Sequence, residues 1–441
     1  GTPVTNTLVV PLELAHFSEI QVATNQLLAL AARVSGGNPN AALVKSGPGT
    51  LGMTGTNTFE SPLIISNGYV RVNNGTALGN PTNTVRFVCT VNPADNWNER
   101  GFLYFTDAVA TNSRPLIFDS AVYFIGQIFP KNGTLVLNGK VTFYGGGRID
   151  NQGTLVFRGG FWCANVDPWL QTMGGNIMRF EELPLDMGTH PVPIDNGGVF
   201  QVSATNNTWS SISLSSGTFL CGAENVMPTN AFVSFGRSWT QTGFVDLNGF
   251  NQQQKYLTYS AGSTSVTNLA VKSATPATLT LQGDSSARPF IGYFSGKVSL
   301  RHRNSGTLAF TSAQSASTTT GDLLVETGTV SFAQGATWTG STNVTVTGGT
   351  LSIDGGTGAT FGGSSAATNV TRLHLTSAAH VNLAAGVTDY VRAATLDGKH
   401  LSVGSYGSTS SSAQNKSALF TGTGVLYVLR SEIRGTLITV K

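Results

Sequence analysis

Carboxylates are the first residues to test for chemistry, because a catalytic acid/base pair or a Ca²⁺ site needs two or more of them placed together. Asp and Glu together number only 22 in 441 residues, and no two Asp residues are adjacent. The candidates Asp107, Asp119 and Asp150 are isolated, and such Asp residues usually cap turns. At best they would stack on successive coils of a repeat. We therefore expect no catalytic residues and no enzymatic activity.

Metal and cofactor motifs are also incomplete. Six histidines, at positions 16, 190, 302, 374, 380 and 400, show no metal-ligand spacing. His374 and His380 would share one face of a predicted strand but lie about 20 Å apart along it. The glycine-rich segments 145–150 and 355–360 depart from the Gly-Gly-x-Gly-x-Asp pattern of calcium-binding repeats. Segment 292–297 is too short for a phosphate-binding loop. We expect no metal site and no cofactor.

Three cysteines share one local pattern. Each follows an aromatic residue by two positions, as in the pairs Phe87 and Cys89, Phe161 and Cys163, and Phe219 and Cys221. In a strand, residues two apart lie on one face. The cysteines are therefore interpreted as small buried side chains. A disulfide between stacked coils is the alternative, and it would leave one thiol over.

The composition indicates a packed β-rich protein. Charged residues make up 11% of the chain, against about 25% in average soluble proteins. Hydrophobic residues reach 40%, which supports a filled core and argues against disorder. The one basic cluster, 301–303, is too small to indicate a nucleic-acid or membrane partner. No apolar run approaches the roughly 20 residues of a membrane span.

A short glycine-containing repeat predicts where the strands begin and how the coils are spaced. Gly-Thr-Leu or a close variant begins at Gly49, Gly133, Gly153, Gly217, Gly306, Gly328, Gly349 and Gly435. Neighbouring copies are about 20–22 residues apart, a period typical of solenoids. In each copy, glycine turns the chain and the next residues begin a strand with alternate side chains inward. Asn-Gly hairpin signals end at Asn248-Gly249. The pattern therefore predicts an all-β parallel β-helix with coils of about 20–22 residues.

Two segments, 94–100 and 166–193, depart from the repeat. The second contains Pro168, Pro184, Pro191 and Pro193. Because proline cannot donate to a strand ladder, we predict that segment 166–193 leaves the solenoid as a loop or lobe. It is then the best candidate for a binding surface. A loop packed over one flank is the alternative.

Residues 45–59, Lys-Ser-Gly-Pro-Gly-Thr-Leu-Gly-Met-Thr-Gly-Thr-Asn-Thr-Phe, resemble the autotransporter-associated (passenger-associated) β-strand repeat of bacterial surface proteins. A second copy has Asn207-Thr208-Trp209 before Gly217-Thr218-Phe219, and a degenerate third spans 306–338. Residues 405–428 are similar to the closing module of many such proteins. The recognisable pieces cover about half of the chain.

This resemblance implies a right-handed parallel β-helix displayed outside the cell, serving secretion, adhesion or surface structure. It predicts an N-terminal strand or cap over 1–24, a solenoid over 25–429 and an extra C-terminal strand over 430–441. The family's outer-membrane barrel and sorting anchor are not seen in this sequence. The first residues, Gly1-Thr2-Pro3, are typical of a mature end after signal-peptide removal. We therefore expect an exported protein at the cell surface or outside the cell.

Both ends of the sequence look like strands, and open strand edges pair with any available strand. The candidate assembly residues are Leu8, Val9, Val10, Leu12, Leu14, Ile433, Leu437, Ile438 and Val440. We predict a head-to-tail homopolymer in which a terminal strand adds to a neighbouring subunit. Alternatively, both ends fold back on their own solenoid.

Two other functions stay open. The chain could be a glycan-binding adhesin that uses segment 166–193 or an aromatic stripe, or a divergent polysaccharide-active enzyme. The fold prediction itself is tested by burial. Alternate positions of three strands should face the core, namely Phe87, Cys89, Phe219, Cys221, Leu351 and Ile353.

Overall fold

The computed structural model describes residues 4–88, 101–119, 126–130, 133–145, 148–164, 168–236, 241–259, 266–311, 315–355 and 360–431. The chain divides into two compact units, residues 1–226 and 227–441. Within the described ranges the units are built almost entirely from strands, with a 3₁₀ turn at Gly75–Leu78. No helix in these ranges is long and apolar enough to cross a membrane.

The first unit contains strands β1 to β26. Their bounds are β1 Val4–Leu8, β2 Leu12–Leu14, β3 Ser18–Gln21, β4 Gln26–Leu30, β5 Val34–Gly36, β6 Leu43–Ser46, β7 Thr50–Met53, β8 Leu63–Ile65, β9 Gly68–Val72, β10 Val85–Phe87, β11 Gly101–Phe105, β12 Val109–Asn112, β13 Leu116–Phe118, β14 Gly126–Pro130, β15 Thr134–Leu137, β16 Val141–Phe143, β17 Arg148–Asn151, β18 Thr154–Phe157, β19 Phe161–Cys163, β20 Trp169–Thr172, β21 Ile177–Phe180, β22 Leu185–Asp186, β23 Val192–Ile194, β24 Val199–Val202, β25 Ser211–Leu214 and β26 Ser216–Cys221.

Three parallel sheets dominate this unit. Their strand orders are β1-β4-β7-β9-β11-β14, then β3-β6-β8-β10-β13-β16-β19-β22, and β12-β15-β18-β21-β24-β26. Each sheet takes one strand from each successive coil, so neighbours in a sheet are about 20–25 residues apart in most coils. The first unit is therefore a parallel β-solenoid.

The second unit contains strands β27 to β49. Their bounds are β27 Phe232–Phe235, β28 Gln241–Asp246, β29 Gln252–Gln254, β30 Leu257–Tyr259, β31 Val266–Leu281, β32 Ala287–Phe290, β33 Tyr293–His302, β34 Thr307–Phe310, β35 Ala316–Ser317, β36 Leu323–Val325, β37 Thr329–Phe332, β38 Thr337–Trp338, β39 Asn343–Val346, β40 Thr350–Ile353, β41 Arg372–Leu375, β42 His380–Leu383, β43 Thr388–Val391, β44 Ala393–Leu396, β45 Lys399–His400, β46 Gly404–Gly407, β47 Asn415–Lys416, β48 Phe420–Thr421 and β49 Val425–Val428.

Stacked parallel coils also form the second unit. Its main sheets run β28-β31-β33-β36-β39-β41-β44-β45 and β32-β34-β37-β40-β42-β48. Antiparallel pairs join β44 to β45 and β46 to β49 near its C-terminal end. The predicted all-β parallel solenoid is therefore confirmed in both units.

The Gly-Thr repeat sets where strands begin. Thr307, Thr329 and Thr350 are the first residues of their strands and pair in register. The glycine before each strand lies against the preceding coil. At Gly328, whose φ is +64°, an added Cβ would lie 2.1 Å from the carbonyl oxygen of Asn304. A side chain there would push the coils apart, which explains why glycine recurs with the period of the coil.

The core lies between the sheets, as the alternating pattern predicted. Five of the six test residues are buried, and Cys89 lies outside the described residues. Aromatic side chains stack along the coil axis. The ring centroids of Phe87 and Phe118 are 4.6 Å apart, and those of Phe118 and Phe143 are 4.1 Å apart. Cys163 and Cys221 are buried too, in keeping with their interpretation as small core side chains.

The prediction that segment 166–193 leaves the solenoid is wrong, and so is the alternative of a flanking loop. Strand β21 of this segment pairs in parallel with both β18 and β24, and β20 and β22 pair with the preceding coil. Pro193 lies in β23, whose ladder partner in this unit is β25 on one side. An edge position tolerates the missing N–H. The binding surface expected on a protruding lobe is therefore not formed. Segment 94–100 lies outside the described residues.

Candidate functional site

The first coil is the candidate site for assembly. Among the described residues, β1, β2 and β3 are each the outermost strand of their sheets. They pair on one side only, with β4, β5 and β6 of the next coil, respectively. One row of backbone groups along this coil therefore faces away from the solenoid. Such a row is a template for another strand.

The hydrogen bonds of β1 identify the outward groups. The Val4 N–H donates to the Asn25 carbonyl at 3.0 Å, and the Leu8 carbonyl accepts from Ala31 at 3.0 Å. In a parallel ladder, the N–H and C=O of one residue point to the same neighbour, and successive residues alternate. Val4 and Leu8 face β4, so Thr5 and Thr7 direct their backbone N–H and C=O groups outward.

Apolar side chains surround this open edge. Val4, Val9, Val10 and Phe17 are 58%, 72%, 58% and 64% exposed. Val9 and Val10 form the turn between β1 and β2 and do not extend the strand as expected. The sequence interpretation missed Val4 and Phe17, since an apolar residue beside a turn carries no sign of the side it will face.

The other predicted assembly residues differ in placement. Leu8 and Leu12 are half-buried, whereas Leu14 is buried in its own unit and contributes to the core. The four C-terminal candidates, Ile433, Leu437, Ile438 and Val440, lie outside the described residues.

The candidate carboxylates are placed on different parts of their coils. Asp119 follows β13 and forms an ion pair with Arg86. Asp107 lies between β11 and β12, and its Oδ2 accepts a hydrogen bond of 3.4 Å from Asn74. Asp150 is a buried residue of β17. Among the described residues, no group of three or more His, Cys, Asp or Glu side chains could hold a metal ion.

The histidines belong to separate environments. His374 and His380 do not share a strand face, because a turn at Thr376–Ala379 separates β41 from β42; that expectation was wrong. The His374 ring lies 2.9 Å from the hydroxyl of Thr395. His302 is buried, and desolvation lowers its pKa to about 4. It is therefore a neutral core residue at physiological pH.

The residues that carry the family resemblance have structural roles. Asn57 accepts a hydrogen bond from the Val34 N–H at 2.7 Å and donates to the Ala77 carbonyl at 2.7 Å. Asn207 makes the equivalent bonds, at 2.8 and 2.9 Å, to the coils before and after it. Each Asn thus joins three coils. No protein-family model, curated protein or solved structure matches the chain, so the resemblance stays a prediction.

Proposed function

We propose that this protein is a non-enzymatic structural protein of the cell exterior, a β-solenoid subunit that assembles head-to-tail with copies of itself into a fibre. The observation that supports this proposal is the open edge of β1, where Thr5 and Thr7 direct backbone groups outward beside exposed Val9 and Val10. A second strand could add there with the geometry that the solenoid already uses between its own coils.

The proposed donor is segment 433–440 of another copy. Gly435-Thr436-Leu437 repeats the motif that begins strands at Thr307 and Thr329. Charge also favours this donor. The first coil exposes Glu13 and Glu19, whereas the donor segment and its end carry the cations Arg434 and Lys441. Opposite charges would orient the incoming segment.

The test blocks the outward edge and leaves the β1–β4 ladder in place. Thr7→Pro removes one outward N–H, and an edge strand tolerates proline. Thr7→Val is the matched control, since it changes the side chain and keeps the N–H. We expect wild type and Thr7→Val to form filaments in negative-stain electron microscopy, and Thr7→Pro to sediment as a monomer with unchanged β-sheet circular dichroism.

A second variant tests the donor. Deletion of residues 431–441 should abolish filaments and leave the circular dichroism of the solenoid unchanged, and the added peptide 431–441 should bind the open edge of that variant. A full-length protein that stays monomeric at high concentration would refute assembly. Filaments from the deletion variant would refute this donor.

A further inference from the structure

Buried ionisable side chains outside the assembly edge differ in how they are satisfied. Lys45, Arg114, His302 and Asp389 are at most 4% exposed. Lys45 donates to three backbone carbonyls at 2.7–2.9 Å. His302 is neutral, and Asp389 accepts a hydrogen bond of 2.7 Å from the Tyr390 N–H. Among the residues that the structure describes, the Nε of Arg114 is buried without a hydrogen-bond partner, as are Nδ1 of His302 and Oδ2 of Asp389. Of these three residues, Arg114 is the one that carries a positive charge.

Arg114 lines an open pocket of about 400 Å³ within the first unit. Five hydroxyl-bearing residues, Thr56, Thr58, Thr76, Thr111 and Ser113, are among the residues that line it. The described lining contains no carboxylate and no aromatic ring. Arg114 is therefore a buried cation in a pocket whose other lining residues are all uncharged.

The fold holds both sides of this pocket in place. On one side, buried Asn112 accepts a hydrogen bond from the Arg114 N–H at 3.2 Å and donates to its carbonyl at 3.0 Å. On the other side, the 3₁₀ turn 75–78 is capped by Asn74, which accepts from the Thr76 N–H at 2.9 Å. Gly79 ends this turn with φ of +83°, and an added Cβ would lie 2.7 Å from the Phe59 carbonyl oxygen. The pocket is thus part of the rigid coil structure.

The physical chemistry of the pocket favours an anion. A buried charge without a partner destabilises the folded state, and an anionic ligand would supply the missing partner. Burial lowers the pKa of Arg114 to about 10, so the group stays charged at neutral pH. A guanidinium binds a carboxylate through two parallel hydrogen bonds. A single buried cation suits a monoanion better than a phosphate dianion.

The hydroxyl groups narrow the ligand class. Threonine and serine hydroxyls can both donate to and accept from the hydroxyls of a sugar. Arg33, which is not a lining residue, donates to the Thr58 hydroxyl at 2.7 Å and so orients that hydroxyl. The volume is in the range of small-molecule sites and accommodates one sugar ring.

We propose that the Arg114 pocket binds the carboxylate of a hexuronate unit of an acidic polysaccharide, with the surrounding hydroxyls bound to the sugar ring. The site is separate from the assembly edge, and the proposal holds whether or not the protein forms fibres.

Calorimetric titration of the full chain with galacturonate, glucuronate, galactose, acetate and sulfate tests this proposal. We expect one of the two uronates to bind at least about tenfold more tightly than both galactose and acetate. Galactose lacks the carboxylate that forms charge-assisted hydrogen bonds, and acetate lacks the sugar hydroxyls. Arg114→Gln should weaken uronate binding at least about tenfold. Arg71→Gln, which removes an exposed charge from strand β9, is the matched control and should bind like wild type.

Thermal unfolding gives an independent readout. Uronate should raise the Tm of the wild type. Arg114→Met should raise the ligand-free Tm, because it removes an unpartnered buried charge, and should abolish the shift with uronate. Thr111→Val, a milder change at the pocket wall, should weaken uronate binding and leave the affinity for acetate unchanged. Absence of uronate binding, equal binding of galactose, equal binding of acetate or sulfate, or full binding by Arg114→Gln would each overturn the proposal.

Discussion

The first and last coils of the described chain end their sheets in different ways. The first coil exposes the outer edge of β1 and four large apolar side chains. Near the other end, the chain reverses. β45 pairs antiparallel with β44, and β46 pairs antiparallel with β49. Because the reversed strands use edge groups that a further parallel coil would need, this region is a cap.

Side-chain packing follows the same contrast. In the cap, Leu426 and Val428 of β49 are each 1% exposed, and the rings of Tyr390 and Tyr427 stack at 5.4 Å. On the first coil, the side chains of β1 are mostly exposed. The side chains of the cap are packed within their own unit, whereas most side chains of β1 are exposed among the described residues.

The largest expected effect is on the stability of the cap. Leu426→Ala should lower the free energy of unfolding of the second unit by about 2–5 kcal/mol, because it leaves a cavity in a packed core. Val403→Ala, at a 59% exposed position in the same region, should change it by less than about 0.5 kcal/mol. Urea unfolding followed by tryptophan fluorescence measures both. Equal losses would show that the cap is not packed as described.

The stability of the second unit should also depend on pH through Asp389, a buried residue of β43, the strand that pairs with β49. Burial raises the pKa of the Asp389 carboxyl above 3.8, although hydrogen bonds from Thr360 and from backbone N–H groups partly oppose this shift. The stability that Asp389 contributes is fully present below about pH 3.8 and is lost as pH rises through its folded-state pKa. Asp389→Asn should therefore become more stable relative to wild type as pH increases from 4 to 7. Parallel stability curves for the two proteins over this range would contradict the prediction.

The smallest effect concerns backbone protection on the open edge. In the monomer, the amides of Thr5 and Thr7 point to solvent and should exchange rapidly with deuterium, whereas the buried amide of Leu426 in the cap should exchange slowly. Hydrogen exchange followed by mass spectrometry measures this difference. Assembly should slow exchange at Thr5 and Thr7 and leave Leu426 unchanged. Slow exchange of Thr5 and Thr7 in the monomer would show that the edge is already covered.

Local sequence rules predicted the repeated part of the fold well. The Gly-Thr motif located strand starts at Thr134, Thr154 and Thr307, since a glycine is required where coils approach closely. Alternation predicted the buried positions of β26 and β40. Both rules depend on residues within one coil, so they can be read without knowing what lies above or below it.

Predictions that depended on neighbouring coils were less successful. Four prolines suggested that segment 166–193 leaves the solenoid. However, β21 of this segment pairs with a strand on each side, so the segment is part of the solenoid. The continuous strand expected through His374 and His380 contains a turn. In each case, the residue content of the segment does not reveal which strands lie beside it, and those pairing partners decide whether the segment joins a sheet.

Arg114 shows most clearly what the sequence could not reveal. Nothing in Ser113-Arg114-Pro115 distinguishes this arginine from an exposed one. It is buried because Asn112 holds its backbone and because the 3₁₀ turn of the preceding coil stands opposite. The sequence by itself determined an all-β repeat, its period and its inward-facing residues, since these follow from glycine sterics and the two-residue period of a strand. Only the tertiary structure decided which edge stays open, which end is capped and which charge is buried, because each depends on groups brought together from different coils.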